Sequence, residues 1–146
     1  MKFSASNVKI TEVSEGLKLY KAKYSIKLNN PPTTFVFIDP APKLQPIGCY
    51  KDNVKERALP VLYANFRKNI DWLNMELTVN QCAQVASDIG YEYFGVLFFG
   101  ECHSGRNAKE RYAKYGNITE GCWKFDNQTG FAVGRELTNF VYRILN

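Results

Sequence analysis

The 146-residue chain has few of the groups that mark an enzyme or a metalloprotein. It holds one histidine, His103, and four cysteines, Cys49, Cys82, Cys102 and Cys122, no two of them close in sequence. Zinc sites are usually built on a close cysteine pair, so this spacing argues against one, and no metal or other cofactor is expected. No Ser-His-Asp order, phosphate loop or metal signature appears. Long apolar runs are missing too: the densest, YFGVLFFG at 93–100, suits a buried strand and is far too short to span a bilayer. The start, MKFSASNVKITEV, lacks the apolar middle of a signal peptide, so the chain reads either as cytosolic or as a mature segment headed by an added Met1. No basic run makes a nucleic-acid patch, because the lysines of LKLYKAKYSIKL at 17–28 alternate with apolar residues, as on the wet face of a strand. Internal repeats and low-complexity segments are also absent.

What is present points to a small stapled domain. A hydrophobic fraction of 45% in this length supports one core. Ten Phe, nine Tyr and two Trp favour β-rich packing or a surface that stacks rings on a ligand. The formal charge of +5 favours anionic partners only weakly. An even number of widely spaced cysteines fits a secreted, disulfide-stapled domain, and from the residues alone the four allow three pairings. Asn117-Ile118-Thr119 and Asn127-Gln128-Thr129 are acceptor patterns for N-glycosylation, which fits the same extracellular setting.

Residues 1–46 differ from the rest. Alternating apolar positions in GLKLYKAKYSIKL, followed by TTFVFID, predict an antiparallel β-hairpin-like extension, and DPAPKLQP, with three prolines, reads as an extended tether or boundary ending it. From Gly48 onward the texture changes. LTVNQCAQVASDIG predicts a helix capped by Thr78 with Gln81 completing a capping box, ending at Gly90, with Val79, Cys82, Val85, Ala86 and Ile89 on one face. YEYFGVLFF predicts a central strand, NAKERYAKY a short helix capped by Asn107 with Glu110, and TNFVYRIL a closing strand. The fold class expected is α+β, a helix packed on an antiparallel sheet.

IGCYKDNVKERALP, then TVNQCAQVA, then GYEYFGVLFFGECHSG, a further cysteine and a late aromatic strand together resemble the WSC domain, an extracellular module similar in outline to PAN and apple domains. Gly48, Cys49, Tyr50, Asp52, Arg57, Ala58 and Leu59 match its opening, and Gly90, Tyr91, Tyr93, Phe94 and Gly95 its strand; the likeness covers about 47–145. WSC domains usually carry eight cysteines, including two at positions held here by Ala86 and Ser104. The resemblance therefore implies a disulfide-stapled module in which Cys82 is bonded to Cys102 and Cys49 to Cys122. It also implies carbohydrate binding.

FFGECHSG, where a cysteine and the histidine stand side by side, allows a nucleophile and base, a metal ligand or a disulfide anchor. Adjacent strand residues face apart, which disfavours a Cys102–His103 dyad. The favoured reading is a disulfide anchor at Cys102, with His103, Ser104, Gly105, Arg106 and Asn107 as an exposed polar loop. For a sugar, whose flat C–H face stacks on aromatic rings and whose hydroxyls need amides, carboxylates or guanidinium groups, the candidates are Trp72 and Trp123, taken to lie in loops, with Tyr112 and Tyr115. Polar help would come from Asn65, Arg67, Asn69, Asp71, His103, Arg106 and Asn107. LYANFRKNIDW reads as a solvated loop, with its Arg67 and Lys68 also suiting an anionic polysaccharide. Arg57 is expected to pair internally with Asp52 or Glu56.

The sequence thus predicts a secreted, non-catalytic, lectin-like module of an extracellular matrix or cell-surface protein, binding a glycan. The competing class is a protein-interaction module of the PAN or apple type, self-associating through residues 1–46. Paired carboxylates need no motif, so a two-carboxylate glycosidase drawing on Asp71, Glu76, Glu101 or Asp126 stays open as the enzymatic alternative.

Overall fold

A computed structural model describes residues 41–145, and the predicted N-terminal hairpin and its proposed self-association lie outside them. The compact unit begins at Pro42. Its elements are β1 (Lys43–Lys51), β2 (Val61–Asn65), a 3-10 turn (Arg67–Asn69), α1 (Met75–Ile89), β3 (Tyr93–Leu97), β4 (Glu101–Ser104), α2 (Ala108–Arg111), β5 (Cys122–Lys124), β6 (Ala132–Gly134) and β7 (Thr138–Leu145). Five strands form an antiparallel sheet in the order β1-β7-β3-β4-β2, and β5 and β6 form a separate ribbon. The class is α+β.

β3, apolar on both faces, sits at the centre of the sheet, as its composition predicts. One face, with Phe94, Val96, Cys102, Phe140 and Tyr142, packs against Val79, Cys82, Ala83 and Ala86 of α1. The other face is smaller: Tyr93 and Val141 are covered by Leu59 and Ala108, with Tyr50 and Tyr112 at the margin. The loop carrying Leu59 is held by Asp52, whose carboxylate accepts from Arg57 Nη1 and from the Ala58 amide, both at 2.8 Å. Arg57 therefore pairs with Asp52, one of its two expected partners.

Four local predictions need correction. The helix begins at Met75, after Asn74, one turn before Thr78; Thr78 is buried inside it, and no side chain caps the first turn. Its end is as predicted: Gly90 adopts φ 104° and its N–H returns to Ala86. Asn107 likewise precedes α2 without a side-chain cap. Lys43–Pro46 are not a tether, since they pair with Tyr142–Leu145 of β7, with a bulge after Pro46, whose missing N–H cannot continue the ladder. Residues 62–65, the start of the predicted solvated loop, belong instead to the edge strand Val61–Asn65, paired to β4.

Two disulfides staple the unit. Cys82–Cys102 ties α1 to β4 inside the core, and Cys49–Cys122 ties β1 to β5. They close loops of 20 and 73 residues respectively. In the chain-entropy account these loops are worth about 3 and about 4 kcal/mol. Replacing Cys49 and Cys122 by serine is expected to lower unfolding stability by about 4 kcal/mol in denaturant titration, more than the Cys82→Ala/Cys102→Ala pair if loop closure dominates. The reverse order would show that core packing around the buried sulfurs outweighs loop length.

Candidate functional site

Trp72 and Trp123, distant in sequence, stand together with ring centroids 6.2 Å apart and planes 32° from parallel. They belong to a row of five rings: Phe98, Phe99, Trp72, Trp123 and Phe125, each 5.4–6.4 Å from the next. Trp72 is 54% exposed and Leu73 beside it 98% exposed, so the row opens to solvent at Trp72, while Phe99, Trp123 and Phe125 are half-buried against the core. A hollow of about 460 Å³ lies at its foot, lined by Trp72, Asn74, Glu76, Trp123, Lys124 and Asp126 among others.

Three local constraints build this row. The first is the turn between β3 and β4. The predicted strand continued through Phe99, but β3 ends at Leu97, and Phe98 and Phe99 take φ of 53° and 70° in a two-residue turn closed by the Gly100 amide to the Leu97 carbonyl. Hairpin turns of this kind favour Asn-Gly, because a side chain in the left-handed region costs roughly 1–2 kcal/mol per residue. Here the arrangement is held from outside: the Phe98 amide donates to Arg135 O at 3.1 Å and the Phe99 amide to Gly134 O at 2.8 Å. Arg67 adds a bond from Nε to Phe98 O at 3.0 Å and lays its guanidinium 3.6 Å from the Phe98 ring centroid.

The second constraint is close approach at Gly100. A Cβ there would lie 3.1 Å from the Arg67 amide nitrogen, and Gly100 O accepts the Phe66 amide at 2.8 Å, so the chain leaving β2 lies directly on the turn. Asp71 then turns the chain, its Oδ1 accepting the Leu73 amide at 3.0 Å, and Trp72 is placed edge-on to Phe99. The third is the ribbon. Trp123 lies on β5 rather than in a loop, opposite Val133, and follows the disulfide-bonded Cys122.

The electrostatics of the hollow are mixed. Asp126 is held below the usual carboxylate range, chiefly by the Gln128 amide, with further help from Thr129. It stays ionised in mildly acidic solution. Lys124 lines the same hollow.

The other predicted site residues lie elsewhere or do other work. Tyr112 packs edge-on to Tyr50 at 5.0 Å and stacks on Tyr93 at 5.6 Å, and Tyr115 donates its hydroxyl to Glu56 O. Asn69 closes the 3-10 turn through its amide and is exposed, while Asn65 Oδ1 accepts the Arg67 amide. The exposed polar loop at 103–107 is only half present: His103, Ser104 and Gly105 are buried, and exposure begins at Arg106 and Asn107. The reason is β2, whose Leu62 pairs with His103. Cys102 faces α1 while His103 faces away, its Nε2 3.0 Å from Glu101 Oε1. Asn117 and Asn127 are both exposed. Among the described residues no three His, Cys, Asp or Glu side chains form a metal-binding group. Sequence reasoning missed Phe98, Phe99 and Phe125, because their part depends on a turn that the residues do not announce.

Comparisons with protein-family models, with curated proteins and with solved structures give no significant match to this chain.

The exposures of the two indoles set an expectation that needs no ligand. Trp72→Ala is expected to cost less than about 1 kcal/mol, and Trp123→Ala, whose indole is partly buried beside the second disulfide, about 2 kcal/mol or more. Either change is expected to abolish the exciton-coupled circular dichroism of neighbouring indoles, and a coupled signal surviving in the single-tryptophan variants would refute the pairing.

Proposed function

We propose that this chain is a non-catalytic carbohydrate-binding module of the WSC type, secreted as part of an extracellular matrix or cell-surface protein. The observation that carries the reading is the meeting of Trp72 and Trp123 beside a polar hollow. Neighbouring indoles offer a surface for the C–H faces of sugar rings, and the hollow's volume is that of a small-molecule site. Asn74, Glu76, Lys124 and Asp126 supply donors and acceptors for the hydroxyls. Two disulfides fit an oxidising compartment, and exposed Asn117 and Asn127 fit use as glycosylation sites. No helix among the described residues is long and apolar enough to cross a membrane.

A second reading, a protein-interaction module of the PAN or apple type, is favoured by Leu73. A leucine 98% exposed next to a half-exposed tryptophan, with Leu77 also exposed, has the character of an interface anchor.

A glycan-array screen of the oxidised protein separates the two. Selective binding that persists at physiological salt and falls at least about tenfold in both Trp72→Ala and Trp123→Ala supports the carbohydrate reading. Folded variants that bind sugar as well as the parent overturn it. Binding that depends instead on Leu73→Ala, with a protein ligand and no sugar, favours the second reading.

The pH profile gives an independent check on Asp126. Its carboxyl is lowered in the folded chain, so an acceptor role is fully present above the ordinary carboxylate pKa and is lost only as pH falls through the lowered value. Sugar affinity is expected to hold through the ordinary aspartate range, and Asp126→Asn to weaken it at neutral pH. Asp126→Asn binding sugar as tightly as the parent at neutral pH would remove Asp126 from the site.

A further inference from the structure

A second hollow, of about 550 Å³, shares no lining residue with the tryptophan site. It lies where α1 ends: Gly90 reverses the chain in the left-handed conformation and delivers Tyr91, Glu92 and Tyr93 to one wall. Arg106, just before α2, and Lys109, within it, form another. Both aromatic groups are fixed from behind, Tyr91 by Tyr63 at 5.5 Å and Tyr93 by stacking on Tyr112. Ile89, 52% exposed, and Val61, 39% exposed, give the hollow an apolar rim.

Its charge is unbalanced. The one carboxylate on the wall, Glu92, is bound to Arg143 Nε at 2.7 Å. Arg106 and Lys109 are exposed and make no ion pair among the described residues. Two cations without an ion-pair partner among the described residues thus share the hollow with tyrosine and aliphatic side chains, in a space of small-molecule size. A neutral ligand would leave both charges unused, and a bare inorganic anion would leave the aromatic and apolar lining unused.

The geometry points to a second binding site here, for an anionic saccharide whose carboxylate or sulfate meets Arg106 and Lys109 while its ring lies against Tyr91. This rests on the carbohydrate reading for the class of ligand and takes none of its residues from the tryptophan site. Arg106 supplies a planar fork suited to a two-oxygen anion, and Lys109 a mobile point charge beside it.

The test is a titration of the full, oxidised, isotope-labelled chain followed by amide chemical shifts, with glucuronate, glucose, glucose 6-sulfate and inorganic sulfate as probes. Glucuronate or glucose 6-sulfate is expected to move the amides of Gly90, Tyr91, Gly105, Arg106 and Lys109; which of the two binds more tightly identifies carboxylate or sulfate as the anion. Arg106→Gln/Lys109→Gln is expected to weaken that binding at least about tenfold, while Trp72→Ala leaves it unchanged. The site is overturned if neither acidic sugar moves these amides, if glucose moves them as strongly, or if the double variant binds as the parent does. Inorganic sulfate binding as tightly as glucose 6-sulfate would show a charge patch with no sugar contact and would overturn it too. Loss of neutral-sugar binding at the tryptophans with this response intact would sink the first site alone.

Discussion

The Phe99 amide donates to the Gly134 carbonyl at 2.8 Å, and the arrangement of the aromatic surface depends on that junction. It fastens the β3–β4 turn of the main sheet to the end of β6, and so to the ribbon that carries Trp123. The fit allows no side chain at Gly134, where a Cβ would lie 1.9 Å from Thr138 O. The next residue contributes as well, since Arg135 O accepts the Phe98 amide. With both amides bonded and Arg67 bound to the Phe98 carbonyl, two phenylalanines remain in a backbone region that L-residues avoid. The strain is local and its restraints come from two other parts of the chain, residues 134–135 and Arg67, which is how an unfavourable conformation becomes a fixed one.

The sheet divides its two faces by chemistry. Toward α1 it is apolar, with Phe94 stacked on Tyr142 at 5.3 Å and the Cys82–Cys102 bond buried among them. Tyr142 extends through this layer to the ribbon, its hydroxyl accepting the Ala132 amide and donating to the Ala132 carbonyl. Burial drives that phenol far above its ordinary pKa, so it stays a neutral donor. The opposite face holds buried His103 and Asn139 along with Tyr93 and Val141. Gly95 makes room there, because a Cβ on it would come within 2.6 Å of Asn139 Oδ1. A helix clamped by covalent bond on one side and a loop latched by Asp52 on the other leave the solvent-facing ends of the sheet for binding surfaces.

How much of this the sequence discloses follows from how local each feature is. Helical periodicity puts Cys82 on the buried face, and composition makes Tyr93–Leu97 central; both need only neighbours within a few residues. The end of α1 is readable because Gly90 is the residue that tolerates its conformation. Its start is not, since Asn74 caps without a side-chain bond while Thr78 and Gln81 imitate a capping box one turn too late. LYAN reads as loop because its strand character comes from pairing with β4, and that same pairing hides His103. The tryptophans are readable as candidates but their meeting is not, for it is set by a turn whose residues lack the usual Asn-Gly signal.

Whether the aromatic row belongs to the core or to a binding surface can be argued from what folding alone requires. The core already has its rings: Phe94 and Phe140 both pack on Tyr142, and all three are buried. Phe98, Phe99 and Trp72 sit at a turn, and Trp72 and Leu73 return little burial for the apolar surface they expose. Two left-handed phenylalanines add backbone strain at the same place. A polar Asn-Gly turn would close this hairpin with less strain and less exposed ring surface. Phe99, Trp123 and Phe125 gain burial against the core, but the exposed Trp72 and Leu73 and the strained turn, fixed by the Gly134 junction, by Arg67 and by Gly100, are not what stability alone would select. That mismatch supports reading the row as a surface shaped for a ligand.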